Sequence, residues 1–436
     1  MTPGQKGYAP ALLSWIIWGL VANLYLVGFF HRVAPAVMVD ELMREFNLGA
    51  AVLGNLSAAY FYAYAAMQIP SGLLADAIGP RRLSSAAALV AALGAFLFAL
   101  APSLWLAYLG RFLIGAAVGV AFVSCMKLAG HWFPTNRFAT VTGLALLLGN
   151  LGGVLAGVPL AEAVALFGWR AAMLASACVT LAGAVLIWVV VRDDPAERGY
   201  ATFAHAALAE RGSLPPLAAL RKVVRQRDTW SLFFAAGFSS APPLVFAGLW
   251  GVPYLTQIHG LERSQAALLT STMLLAWAAG GSGLGALSDR LGRRKPPYLV
   301  ANLLAALLWG VFLFCPVPHA WLFPLFAAIG FTSGGLIIGF AFAREANPPG
   351  VAGTVGGVVN MSIVGFAAIL QTVLGGVLDR HWDGILLAGR PIYSAEAYSA
   401  AFSWLFASAL LSFFALLPVR ETGCRMQDDP PAAGDT

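Results

Sequence analysis

"GLLADAIGPRR" (residues 72–82) and "GALSDRLGRRK" (residues 285–295) are one pattern written twice. Each copy has Gly, three residues, Asp, two residues, Gly, then basic residues. The first places Gly72, Asp76, Gly79, Arg81 and Arg82; the second places Gly285, Asp289, Arg290, Gly292, Arg293 and Arg294. The glycines permit a tight turn and close helix approach. The Asp can face a helix N-terminus, whose partial positive charge favours an anion. The basic residues anchor the loop at a membrane surface. A single copy would read equally well as a stop signal after an apolar run. Asp76 and Asp289, however, lie 213 residues apart in a chain of 436, about half its length.

Both copies follow long apolar runs. The chain is 59% hydrophobic and 11% charged, whereas about a quarter of the residues of a soluble domain are charged. Mean hydropathy is +0.78. Apolar runs fall at 11–38, 49–75, 84–101, 103–129, 138–164, 170–191, 229–256, 264–287, 297–315, 320–343, 351–376 and 398–419. Lipid cannot satisfy an open backbone, so these read as helices. The longest polar interruption, 192–228, divides them six and six. The expected fold is an all-α membrane protein of twelve transmembrane helices in two pseudo-symmetric six-helix bundles. Its parts are an N-terminal bundle (1–191), a central loop (192–228), a C-terminal bundle (229–419) and a tail (420–436). A repeat in corresponding loops of two six-span halves is the pseudo-symmetry of a rocking transporter.

Charge sets the expected orientation. With both termini in the cytoplasm, nineteen Lys and Arg lie on that side. Five lie outside: Arg44, Arg170, Arg263, Arg380 and Arg390. Arg32 and Arg111 fall inside spans. The sequence pI of 9.3 does not point to nucleic acid, because the basic residues sit between apolar runs and form no continuous patch. Cys125, Cys178, Cys315 and Cys424 show no metal or disulfide spacing. No cofactor is implied. The absence of a nucleophile constellation, metal cluster or phosphate-cradling loop argues against an enzyme. The first apolar run is too long for a cleavable signal peptide and is expected to open the bundle.

At Gly72, Asp76, Gly79, Arg81 and Arg82, and again at 285–294, the chain resembles the major facilitator superfamily. Ala77 stands where the family usually has a basic residue. "GRFLIGAAVGVAF" resembles the family's Arg-x-x-x-Gly element at Arg111 and Gly115. The resemblance implies that the paired loops latch the cytoplasmic side. "FFHRVAPAVMVDEL", "YFYAYAAMQIPSG", "KLAGHWFPTNRFATVTG", "FGWR" and "FAREANPPGVAGT" are similar to the anion:cation symporter branch and to proteobacterial porters of the intraphagosomal amino-acid type. In that branch an Arg at the position of Arg32 is implicated in substrate binding or gating.

Arg32 and Arg111 each lie about seven residues from the outer ends of spans one and four, or ~10 Å deep. A charge at membrane depth is costly and functional by default. Two guanidiniums in one water-filled region would suit a carboxylate. The alternatives are that Arg32 snorkels to the headgroups or pairs with Asp40 or Glu41, and that Arg111 serves helix packing. His31 reads as interfacial. Tyr60, Tyr64 and Gln68 share one face of span two, and Asn360 sits mid-span in eleven; these are candidates for the cavity wall, the alternative for the first three being a helix-packing stripe. Ser239 and Ser240 precede Pro242 and Pro243 in span seven, where broken backbone could line a cavity. Trp250 and Tyr254 read as interfacial belt residues. Gly149, Gly153 and Gly157 form a packing stripe.

Glu162 is expected to be the one acid within a span besides the signature pair. The branch often carries a carboxylate in span four seven residues after the Arg, where this chain has Val118. Glu162 is therefore the candidate coupling site, paired with Arg111, the alternative being a salt-bridge partner at the outer mouth. Spans seven and ten carry no Arg or Lys, so no two-arginine clamp drawn from both halves is visible. The expected function is a secondary transporter in the bacterial inner membrane. It would import a small organic anion or amino acid by alternating access, with the proton as coupling ion and the lipid bilayer as surroundings, as a monomer. An exporter or exchanger, or a transporter-like sensor without flux, are the alternatives.

Overall fold

The computed structural model describes residues 7–134, 137–203, 216–348, 351–387 and 389–426. Parts of the expected central loop (204–215) and tail (427–436) lie outside the described residues. Among the described residues, eleven helices are long and apolar enough to cross a membrane. A twelfth, Ala50–Ile78, has 29 residues. In chain order, spans 1 to 12 are Ala11–Val37, Ala50–Ile78, Pro80–Ala99, Leu104–Trp132, Thr140–Phe167, Trp169–Val190, Arg227–Gln257, Arg263–Leu291, Lys295–Phe314, His319–Glu345, Gly353–Arg380 and Ala395–Leu416. Except for spans 2 and 11, which pack extensively on each other, spans 1–6 pack chiefly within their own half, as do spans 7–12.

The repeated signature is mostly helix, not loop. Asp76 and Asp289 occupy the last turns of spans 2 and 8. The chain turns at Gly79 (φ +79°) and Gly292 (φ +61°), a region that favours glycine. Gly285 lies close against Ile337 of span 10, while Gly72 faces open space.

Neither signature Asp caps a helix. Asp76 pairs with Lys127 of span 4 at 2.8 Å, and Asp289 pairs with Arg294 at 2.6 Å. The caps come from further along the chain. Asp193, just after span 6, accepts the Arg81 backbone N–H at 2.5 Å. Glu421, just after span 12, accepts those of Arg294 and Lys295, both at 2.9 Å. Burial alone would raise the Glu421 pKa. The N–H groups of Arg294, Gly423, Lys295 and Thr422 outweigh it and hold the carboxyl below its usual range. Arg294 also reaches Glu345 at 2.9 Å. Arg81 donates through its side chain to the Trp188 carbonyl. Arg82, Arg290 and Arg293 are exposed.

The two halves meet along one main seam, where spans 2 and 11 run antiparallel. Its rungs are Ala50 with Asp379, Gly54 with Gln371, Asn55 with Thr372 and Gln68 with Asn360. From Asp379 to Asn360 that is ~28 Å of helix. Spans 5 and 8 form a second, glycine-based contact, with Gly157 against Ser271. Beyond Gln68 the spans separate, and the signature-face ends of spans 4 and 10 share no comparable packing among the described residues. The molecule is closed on the face opposite the signatures.

That closed face carries its own fastening. Asp379 spans the seam to cap span 2, accepting the N–H groups of Ala50 and Ala51 at 2.8 Å each. Tyr393 donates its hydroxyl to Asp379 at 2.7 Å and accepts from Ala50 N at 2.9 Å. Gly49 leaves room for this approach, since a Cβ there would lie 2.7 Å from the carboxylate. Beside it, Asp40 and Glu41 on the helix Val39–Phe46 meet cations of the other half. Arg263 reaches Glu41 at 2.6 Å, and Arg390, held in a short hairpin, pairs with Asp40.

A capping side chain contributes about 1 kcal/mol. Asp379→Ala should therefore shift the closed-to-open ratio of this face about fivefold toward open. Spin labels at the exposed positions Phe167 and Leu387 would report this as a longer distance population. An unchanged distance distribution would show that the cap does not hold the face shut.

Candidate functional site

The site begins with a missing hydrogen bond. Pro35 has no N–H and stands four residues after His31, so the His31 carbonyl has no intrahelical donor. After Val33 the chain tightens into the short 3₁₀ turn Ala34–Val37. Arg111 of span 4 supplies the donor: its Nη1 reaches the His31 carbonyl at 2.6 Å. Its Nη2 reaches the Ser57 carbonyl of span 2 at 3.3 Å, and the guanidinium lies 5.0 Å from the Tyr60 ring centre. One turn on, a Cβ at Gly115 would collide with the Tyr60 backbone. The Arg-x-x-x-Gly element thus binds spans 1, 2 and 4 together, and Arg111 is 1% exposed. The expectation that it shares a water-filled region with Arg32 is corrected: its terminal nitrogens are spent on carbonyls.

Arg32 is placed differently. It is 6% exposed and makes no ion pair among the described residues. Aromatic faces surround it: its guanidinium carbon lies 4.3 Å from the Phe29 ring centre, 5.1 Å from Tyr64 and 5.8 Å from Phe61. Its Nε is buried without a partner. The alternatives of pairing and snorkelling are both corrected. Asp40 and Glu41 are engaged by Arg263 and Arg390, and the side chain is buried among rings, not extended to an exposed rim. Cation–π contacts contribute about 0.5–2 kcal/mol each. Burying a cation costs several kcal/mol.

The expected wall residues divide by role. Tyr60 donates to the Gly28 carbonyl at 2.8 Å and is fully buried, so it locks span 1 to span 2. Tyr64 stacks on Tyr60 at 6.1 Å and faces Arg32. Gln68 accepts from Asn360 Nδ2 at 2.8 Å. That bond is the innermost polar rung between the two halves, one helical turn beyond Tyr64.

The sequence reading missed Gln371. This span 11 side chain is fully buried, with neither amide atom partnered. A Cβ at Gly248 would lie 3.7 Å from its Nε2 and 3.8 Å from the Arg32 carbonyl. A lone Gln in the apolar stretch 363–378 was the available signal. Gly248 belongs to a π-helical turn, Phe246–Trp250, that breaks span 7; such turns often mark functional sites. The break follows Pro242 and Pro243. Pro242 leaves the Phe238 carbonyl free, and Ser408 of span 12 donates to it at 2.9 Å. Ser239 and Ser240 bond back to the Ala236 carbonyl and do not line an opening.

Other residues fall elsewhere than expected. Glu162 is exposed and has no cation beside it among the described residues, so its pairing with Arg111 does not occur. Asp379 and Glu345 are also helical acids; the predicted spans stopped short of the first and at residue 343 for the second. Val118 is buried where Gly28 brings spans 1 and 4 together, 3.0 Å from a Cβ built on that glycine. It is a packing position. His31 is not interfacial: it is 1% exposed, and its Nε2 lies 3.0 Å from Ser176 Oγ. Trp250 is likewise buried, donating to the Gln371 carbonyl at 3.4 Å.

Residues 20–372 match the Major Facilitator Superfamily. The chain belongs to that family. Its relatives include the probable sulfoacetate transporter SauU of Cupriavidus necator, 26% identical over 83% of this chain and 86% of that protein. The probable galactarate/D-glucarate transporter GarP of Escherichia coli is 22% identical over 92% and 94%. The membrane sensor protein UhpC of Escherichia coli is 26% identical over 83% and 86%. Among solved structures, a bacterial homolog of the human lysosomal transporter Spinster, inward-facing and unoccupied, superposes with a TM-score of 0.76 at 17% identity, covering 94% of this chain and 98% of that one. The chain is a member of a non-enzymatic transport family, and several of its relatives are named as probable transporters of organic anions.

Arg111→Lys keeps the charge but cannot reach two carbonyls with one fork. It should lower the melting temperature of the detergent-solubilised protein, the loss being about 1–3 kcal/mol for a buried group left unpaired. Equal melting temperatures would remove Arg111 from the framework.

Proposed function

We propose that this facilitator imports a small organic anion by alternating access, with Arg32 holding the anionic group at the innermost point reached from the signature face. The observation that carries the reading is a buried arginine walled by aromatic rings, without a carboxylate, while the nearby acids are engaged elsewhere. The relatives named for sulfoacetate and galactarate/D-glucarate support an anion over a neutral solute. Tyr64, Gln68 and Asn360 complete the wall, and the Gln68–Asn360 bond joins the halves at the depth of the site. Arg111 and Tyr60 act as positioning residues behind it. The signature face is cytoplasmic in this reading, with both termini inside, a proton as coupling ion and the bacterial inner membrane as location; the carrier works as a monomer. The likeness to a membrane sensor supplies a second reading, binding without flux.

Losing a charged hydrogen bond costs about 1.5–3 kcal/mol, ten- to hundredfold in affinity. Arg32→Ala should weaken binding by that factor. Arg32→Lys should also bind worse, because it loses the fork. Proteoliposome uptake and equilibrium binding of sulfoacetate and D-glucarate, with and without an inward proton gradient, test this. Equal affinities in three folded proteins would take Arg32 out of the site. Binding without uptake in wild type would favour the sensor.

The orientation rests on the charge asymmetry of nineteen to five. A thiol reagent that cannot cross the membrane should label Leu387→Cys and spare Lys222→Cys in intact cells, both positions being exposed. The reverse pattern inverts the topology.

A further inference from the structure

A groove of about 420 Å³ runs between the start of span 7 and the end of span 12, lined by Arg227, Trp230, Phe234, Leu411, Phe414 and Pro418 among others. Its walls are almost wholly apolar. Trp230, Phe234, Leu411 and Phe414 are each 42–51% exposed, on the outer flank of the C-terminal half and away from Arg32. The groove opens at the signature face, where the chain enters the bilayer.

Cations surround that opening. Arg227 lines the groove itself, at the first residue of its helix. The short helix Pro216–Val224 precedes it and carries Arg221 and Lys222. Val223 on the opposite face of that helix is fully buried, so the helix is amphipathic with its charges outward. Trp230 Nε1 donates to the Val224 carbonyl at 2.8 Å and fixes the helix beside span 7. Across the groove, Arg420 follows two residues after Pro418. Arg221, Lys222, Arg225, Arg227 and Arg420 are all exposed, and none of them makes an ion pair among the described residues. Two acids adjoin these cations: Asp228, next to Arg227 in the first turn of span 7, and Glu421, next to Arg420, whose carboxylate is engaged by the backbone N–H groups of Arg294 and Lys295.

We propose that this groove binds an anionic phospholipid, its acyl chain lying between spans 7 and 12 and its phosphate held by Arg227 and Arg420. Charge complementarity selects the occupant. A guanidinium fork matches a phosphodiester, unpaired basic residues beside a span attract anionic lipid, and an aromatic-lined apolar slot takes a chain. A soluble anion would leave the slot empty, and a neutral lipid would leave the cations unanswered. The site rests on the chain spanning a membrane and is independent of Arg32.

Native mass spectrometry on the detergent-purified full chain tests this, with palmitoyl-oleoyl phosphatidylglycerol titrated against the phosphatidylcholine of the same chains. The first phosphatidylglycerol should bind at least tenfold more tightly than phosphatidylcholine. Each Arg near an anionic group is worth about fivefold, so Arg227→Gln/Arg420→Gln should lose ~25-fold for phosphatidylglycerol and little for phosphatidylcholine. Ala415→Phe, which fills the groove, should weaken both lipids and serves if the double variant fails to fold. Equal binding of the two lipids to wild type would overturn the proposal. So would a double variant that keeps its preference, or an Ala415→Phe protein that binds phosphatidylglycerol as tightly as wild type.

Discussion

In the middle of a bilayer there is no water to complete a hydrogen bond, so a polar group freed in one span must be answered by another. The helix packing of this protein follows from that constraint. Pro35 frees the His31 carbonyl, and Arg111 of span 4 takes it. Pro242 frees the Phe238 carbonyl, and Ser408 of span 12 takes it. Tyr60 bonds the Gly28 carbonyl from span 2. Each repair joins two or three spans at a fixed depth. The glycines opposite, such as Gly115 and Gly28, then allow the backbones to close to contact.

Arg32 differs from Arg111 in what surrounds its guanidinium. It has rings around it and no carboxylate. Gln371, whose amide approaches the Arg32 carbonyl across Gly248, has neither amide atom bonded, as is also true of Asn302. A carrier gains from such residues. A site fully satisfied by its own side chains would have no differential affinity left for a substrate, and a ligand shifts a conformational equilibrium only through differential affinity. In the proposed reading, the cost of burying Arg32 is offset when an anion binds beside it.

The two ends of the molecule are fastened by different means. On the signature face each half closes on itself: Asp193 caps span 3 and Glu421 caps span 9. The acid comes in each case from the segment that follows the sixth span of that half, so the duplication visible in the sequence extends to the caps. On the opposite face the fastening crosses between halves. Anions of the N-terminal half meet cations of the C-terminal half, with Asp379 as the reverse element. Those contacts must break for the closed face to open, whereas the signature-face caps can persist through the cycle.

Hydropathy and the 213-residue repeat were enough to read twelve spans in two halves, because a bilayer imposes one length and one polarity on every span. The depth of Arg32 and the stripe Tyr60, Tyr64, Gln68 were also legible, since helical periodicity and residue cost are local properties. Span ends were less so: Asp379 and Glu345 read as loop residues because a helix does not stop where its apolar run stops. Partner choice was not legible at all. Arg32 and Arg111 are equally deep arginines on paper, and only the packing of spans 1, 2 and 4 gave one of them two carbonyls and the other none. Likewise the signature Asp looked like a helix cap, and the cap belonged to Asp193 and Glu421. Hydrogen bonding depends on which backbones come within 3 Å, and that distance is set by the fold as a whole.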